Sequence, residues 1–129
     1  MDVLLGSSSS PRESFGEAIK LCKKAIALDE SQDMPHWILC YIYAYGRKFD
    51  KAIAEGELAI ALNQNSASAY MALGRTLIYA GRPEEAIDLL KKAVRLNPFR
   101  SCYSTLGSAY REAGQYEEAL IEFKRCIKN

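Results

Sequence analysis

Small residues return at a nearly constant interval along this chain, and no other feature limits its possible folds so sharply. Ala18, Ala52, Ala86 and Ala119 are separated by 34, 34 and 33 residues, and Ala25, Ala59, Ala93 and Cys126 repeat the interval seven residues later. Gly74 and Gly107, Leu73 and Leu106, Tyr70 and Tyr103, and Gly81 and Gly114 are each 33 apart. A supersecondary unit repeated at such a length cannot bury its apolar face alone and must stack on its neighbours. The period therefore predicts stacked helical hairpins, an architecture that generally serves binding and rarely catalysis.

Local signals place the helices. Ser10-Pro11-Arg12-Glu13 joins a capping serine, a first-turn proline and a glutamate three residues past the cap, which predicts a helix from there to about Leu28. Within it Phe15, Ala18, Ile19, Cys22, Ala25 and Ile26 recur at three- and four-residue steps and share one face. Asp33 with Pro35 opens a second helix ending near Gly46, and Phe49 to Leu62 makes its partner. Asn65 or Ser66 caps a helix through Ala80, which Gly81 stops by turning left-handed. Pro83 opens the next, and Asn97-Pro98 closes it because proline disfavours helix in the residue before it. Arg100 to Ala113, Gly114, then Tyr116 to Lys128 repeat the plan.

One domain over 1–129 is expected, with a partial repeat over 1–32 and repeats over 33–66, 67–99 and 100–129. Residues 11–28 match the second helix of a repeat, and Met1 to Leu5 read as the stub of a first. The last helix lacks the polar capping helix that solenoids use at a free end. Two explanations follow: the chain is an excerpt of a longer protein, or its uncapped ends associate and make a homo-oligomer.

Composition excludes several functions. With 49% hydrophobic and 26% charged residues the chain is ordinary for a globular protein, which rules out wholesale disorder. A net charge of +1 gives no global pull toward nucleic acid or an anionic membrane. The N-terminus has no basic region and only Val3, Leu4 and Leu5 in a row, too little for a signal peptide. The longest apolar run, Trp37 to Tyr45, is nine residues, too short to span a bilayer, so a cytoplasmic location is expected. Cys40 and Cys126 fall where other repeats place Gly74, Gly107 or Ala93, so they read as compact buried thiols that let helices approach. His36 is the only histidine, and no metal site or cofactor is expected. Glu84-Glu85 and Glu117-Glu118 recur at equivalent helix starts, where carboxylates favour the dipole, so no catalytic pair is read from them.

These marks resemble the tetratricopeptide repeat, whose signature runs aromatic, Leu-Gly, Tyr, Ala, aromatic and Pro. Residues 67–98 fit it best with Tyr70, Leu73-Gly74, Leu77, Gly81, Ala86, Leu90, Ala93 and Pro98. Residues 100–129 follow with Tyr103, Leu106-Gly107, Tyr110, Gly114, Ala119 and Phe123. Residues 33–66 are looser, with His36, Leu39-Cys40, Tyr43, Ala52, Ala59, and Gln64 where proline is usual. The resemblance implies an all-α, right-handed superhelical solenoid of antiparallel hairpins, about three and a half repeats in seven main helices. More weakly, AIAEGELAIALNQNSASAY and AGRPEEAIDLLKKAVRLNP are similar to repeats of bacterial adenylate/guanylate cyclase-like signalling proteins.

It also implies a protein or peptide partner bound in a concave groove lined by the first helix of each hairpin. By register that groove takes Trp37, Tyr41 and Tyr45, then Met71, Arg75 and Tyr79, then Ser108 and Arg111, with Met34, Ser68, Ile78, Ser101, Ser104 and Glu112 around them. Trp, Tyr and Arg dominate binding hot spots, so a ligand with an apolar or aromatic residue beside an acidic group is expected. WILCYIYAY is apolar around nearly its whole circumference, which means an exposed patch or burial on all sides. Trp37 is thus either groove or core. Gly56 stands where other repeats have Cys22, Leu90 and Phe123, a mid-helix glycine costing about 1 kcal/mol against alanine. The expected compensation is Trp37 or Phe49 filling the vacated space, and a small open pocket is the alternative. RNA binding by a related helical-hairpin array is the rival function, weakened by the lack of a basic stripe.

Overall fold

The structure, a computed structural model, describes residues 11–128. The Ser10 cap, the Met1 to Leu5 stub and Asn129 lie outside the described residues. Seven helices follow in order: α1 Pro11–Leu28, α2 Met34–Tyr45, α3 Phe49–Leu62, α4 Ala67–Tyr79, α5 Pro83–Leu96, α6 Arg100–Glu112 and α7 Tyr116–Lys128. Their limits agree with the periodicity and cap signals to within a residue or two. No strand occurs among the described residues.

Helices α2 and α3, α4 and α5, and α6 and α7 form hairpins, and α1 packs against α2. Successive hairpins touch through α3 with α4 and α5 with α6. The first helices also touch one another, α2 on α4 and α4 on α6, whereas α3 with α5 and α5 with α7 make no contact among the described residues. Helices held together along one edge and separated along the other must curve. The all-α solenoid therefore has its hollow side along α2, α4 and α6.

The small residues fix how closely each hairpin closes. A Cβ added to Gly74 would lie 2.6 Å from Leu90 Cδ2, and one on Gly107 would lie 2.7 Å from Phe123 Cε1. In both hairpins a glycine on the first helix receives a large side chain from the second. The hairpin of α2 and α3 exchanges the partners: Gly56 sits on the second helix, and a Cβ there would meet Cys40 Sγ and Leu73 Cβ, each at 3.1 Å. This corrects the expectation that Trp37 or Phe49 fills the space beside Gly56; a thiol and a leucine of the next repeat do so. Cys40 is fully buried, its Sγ lies 3.3 Å from Thr76 Oγ1, and burial pushes its thiol up to about 11. It remains a neutral packing group at physiological pH.

Turn chemistry differs among the repeats. Gly81 and Gly114 are left-handed, with φ of +80° and +82°. In the α2–α3 turn, however, Gly46 has φ −81° and Arg47 takes φ +61°. Arg47 stands in register with Gly81, so the repeat keeps the conformation although the sequence has put its glycine one residue early. Asn63 and Asn97 share nearly identical extended dihedrals, −150°/97° and −154°/98°. Pro98 enforces this in one; in the other the Asn63 side chain accepts from the Asn65 N–H at 3.0 Å. Ser66 caps α4 by accepting from the Ala69 N–H at 3.2 Å, whereas the Asp33 side chain makes no cap bond.

Candidate partner-binding groove

Three recesses run along the hollow side and share their walls. An apolar recess of about 250 Å³ is bounded by Phe15, Tyr41, Tyr45, Arg75, Thr76 and Tyr79. A polar one of about 470 Å³ lies between α4 and α6 and is lined by Arg75, Tyr79, Ser104, Thr105, Ser108 and Arg111, among others. A third of about 140 Å³ lies among Trp37, Tyr41, Ser68, Met71, Phe99 and Ser101. Arg75 and Tyr79 border the first two, and Tyr41 borders the first and third. Each of the eight residues expected in the groove from register lines one or more of these three recesses.

Their roles differ. Tyr45 and Tyr79 are exposed, Trp37 and Tyr41 half-buried, and Met71 is buried in the main core with Leu73 and Leu77. Trp37 resolves both ways. It packs on the cluster of Cys40, Ala44, Ala52 and Ala72, and its ring meets Tyr41 edge-on at 6.1 Å between centroids. The same ring borders the third recess. Burial raises the Tyr41 hydroxyl above its ordinary range, and the Arg75 charge partly offsets the rise.

Arg75 is the chemical centre of the depression. Its guanidinium lies 6.0 Å over the Tyr41 ring and donates to Thr105 Oγ1 at 3.1 Å. Thr105 Oγ1 in turn donates to the Ser101 carbonyl at 2.6 Å, so its lone pair is held toward the arginine. No ion pair to Arg75 occurs among the described residues. Arg111 is placed differently: it is exposed and pairs with the adjacent Glu112 at 3.2 Å. The Ser108 hydroxyl donates to the Ser104 carbonyl at 3.0 Å. Among the described residues this half-buried cation is held by a neutral hydroxyl and an aromatic face.

Three features of the site were not foreseen from the sequence. Phe15 of α1, assigned to a packing face, stacks edge-on with Tyr45 at 4.8 Å and closes the apolar recess. Thr105 orients Arg75 from the next repeat. A further cavity of about 580 Å³ lies between α1 and the α2–α3 turn, bordered by Arg12, Phe15, Ile19, Tyr43 and Lys48. Among the described residues no group of three His, Cys, Asp or Glu could hold a metal, and no helix is long and apolar enough to cross a membrane.

Comparison with known proteins agrees with the repeat fold. Two models of the tetratricopeptide repeat match residues 67–99 and 101–129. BBSome complex member BBS4 of Bos taurus is 31% identical over 121 residues, 90% of this chain but 21% of that protein. Anaphase-promoting complex subunit 7 of Homo sapiens is 34% identical over 95 residues, 71% of this chain and 17% of that one. The chain thus spans about a fifth of the length of these curated relatives. The crystal structure of MamA superposes with a TM-score of 0.76 at 30% identity, covering 88% of this chain and 67% of that one.

Proposed function

This chain belongs to the tetratricopeptide-repeat family, and from that premise we propose that its concave groove binds a segment of a partner protein, making the chain a scaffold or adaptor. The observation that carries the reading is Arg75, a half-buried guanidinium without a carboxylate partner among the described residues, at the junction of an apolar and a polar recess. The segment places an aromatic or branched apolar side chain among Phe15, Tyr41, Tyr45 and Tyr79 and a carboxylate on Arg75. Arg111, exposed and paired with Glu112 at 3.2 Å, borders the polar recess beside it. That both curated relatives are named as members of complexes supports a role in assembly.

The test is fluorescence titration against an array of labelled peptides that vary an aromatic–acidic pair. The expected result is that Arg75→Glu and Tyr41→Ala each weaken the best acidic ligand at least about tenfold, a loss of about 1.4 kcal/mol, while circular dichroism stays unchanged. Affinity that both variants leave intact refutes the assignment.

A further inference from the structure

The polar recess between α4 and α6 holds more hydrogen-bond donors than a single carboxylate uses. Arg75 and Tyr79 wall it on α4, and Ser104, Thr105, Ser108, Arg111 and Glu112 on α6. These two helices touch each other directly, so the recess is an internal feature of the stack. Among the described residues the Arg75 guanidinium makes one hydrogen bond, from Nη2 to Thr105 Oγ1 at 3.1 Å. The Arg111 guanidinium likewise makes one, from Nε to Glu112 Oε2 at 3.2 Å. A guanidinium carries five N–H groups in a planar fork, so most of each fork is unused. The Arg111–Glu112 pair joins adjacent side chains that are each about half exposed, and such a pair is weak enough to yield to a stronger anion.

The hydroxyls can turn to help. Ser104 and Ser108 donate to the Ser101 and Ser104 carbonyls at 3.2 and 3.0 Å. Both carbonyls lie within α6, where the backbone N–H four residues on already serves them. Either hydroxyl can therefore rotate into the recess without leaving an acceptor unpaired.

We propose that this recess receives a phosphomonoester carried by the partner segment, held between the Arg75 and Arg111 guanidiniums. The proposal rests on the reading that the groove takes a partner segment, and it names the anionic group which that segment presents beside its apolar residue. A carboxylate offers two oxygens in one plane and engages one fork. A phosphomonoester offers three oxygens on a tetrahedron and a charge of about −1.5 to −2 near neutral pH, so it accepts from both forks at once. The sizes agree, since the polar recess is about 470 Å³ and the apolar one about 250 Å³. Arg75 and Tyr79 border both, so a side chain seated among Phe15, Tyr41 and Tyr45 sets the phosphate beside it at the arginine. Glu112 is the one carboxylate that lines the recess; it opposes the phosphate and must release Arg111 to it. Two sources share this chemistry: a phosphoserine next to the apolar residue, or a phosphotyrosine whose own ring fills the apolar recess.

Fluorescence titration of the 129-residue chain tests the proposal. Three labelled peptides keep one aromatic residue and carry serine, glutamate or phosphoserine beside it; a fourth has phosphotyrosine in place of the aromatic residue and serine beside it. The expected result is that one phosphopeptide binds at least about tenfold tighter than the glutamate peptide, and which one does so identifies the source. Arg111→Gln should shrink that preference at least about fivefold, and Glu112→Gln should enlarge it at least about threefold, both with unchanged circular dichroism. Phosphopeptides no tighter than the glutamate peptide, or a preference that Arg111→Gln leaves in place or Glu112→Gln fails to enlarge, would overturn the proposal while the groove reading stands. Binding of none of the four peptides would overturn both.

Discussion

Gly74 and Leu90 illustrate how a single side chain sets the geometry of this molecule. The glycine is a socket, and a methyl placed in it stands 2.6 Å from a leucine that is itself fully buried. Overpacking of this kind costs about 1–3 kcal/mol, against about 1 kcal/mol gained in helix propensity. Gly74→Ala is therefore expected to lower stability by about 1 kcal/mol in urea unfolding, with Gly107→Ala alike. Gly56→Ala meets a thiol and a leucine at 3.1 Å, a milder crowding that the propensity gain offsets, and should be near neutral. Equal losses at all three glycines would show that the sockets are not what holds the hairpins at their spacing. The positions of these residues were legible in the period, but the occupant of the Gly56 site was not. Spacing assigns a residue to a face; it does not say which neighbouring repeat reaches across. The Arg75 bond to Thr105, thirty residues away in sequence, was hidden for the same reason.

At the level of elements, helix limits were read almost directly from caps, prolines and periodicity, because each signal acts within a few residues. Turn conformation was less accessible. The left-handed position, taken by glycine at 81 and 114, falls by register on Arg47 and not on Gly46, so the stack of hairpins overrides the local preference. Gly46 has φ −81° and ψ 6°, nearly those of Ala80 at −79° and 1° and Ala113 at −84° and −1°. An added Cβ meets nothing nearer than 3.7 Å. Gly46→Ala is expected to stabilise the protein by about 0.4–1 kcal/mol through loss of unfolded-chain freedom. Thermal unfolding checks this, and a lower midpoint would mean the turn depends on glycine at 46. α1 was foreseen as a helix, but its closing of the apolar recess through Phe15 was not, since amphipathic spacing cannot show that a residue near a helix end overhangs the adjoining groove.

For the whole molecule, contacts run between sequence neighbours, so stability should follow a sum of repeat and interface contributions rather than one global value. α4 and α5 have hairpins on both sides, while α1 touches only α2. Native-state hydrogen exchange is expected to find α4 and α5 slowest and α1 fastest. Protection equal across all seven helices would instead indicate a single cooperative unit. The all-α stack and its hollow side were legible because one period governs every repeat. The chemistry of the hollow was legible only as a set of residue types, since its central cation depends on packing between repeats. The outer helices α3, α5 and α7 never meet, whereas the inner row touches throughout. Flexing the arc is therefore expected to cost least along its outer rim, where the backbones of successive helices stand apart, and the easiest deformation is one that widens or narrows the cleft. Such compliance lets one scaffold close upon ligands of unequal girth without rebuilding its core.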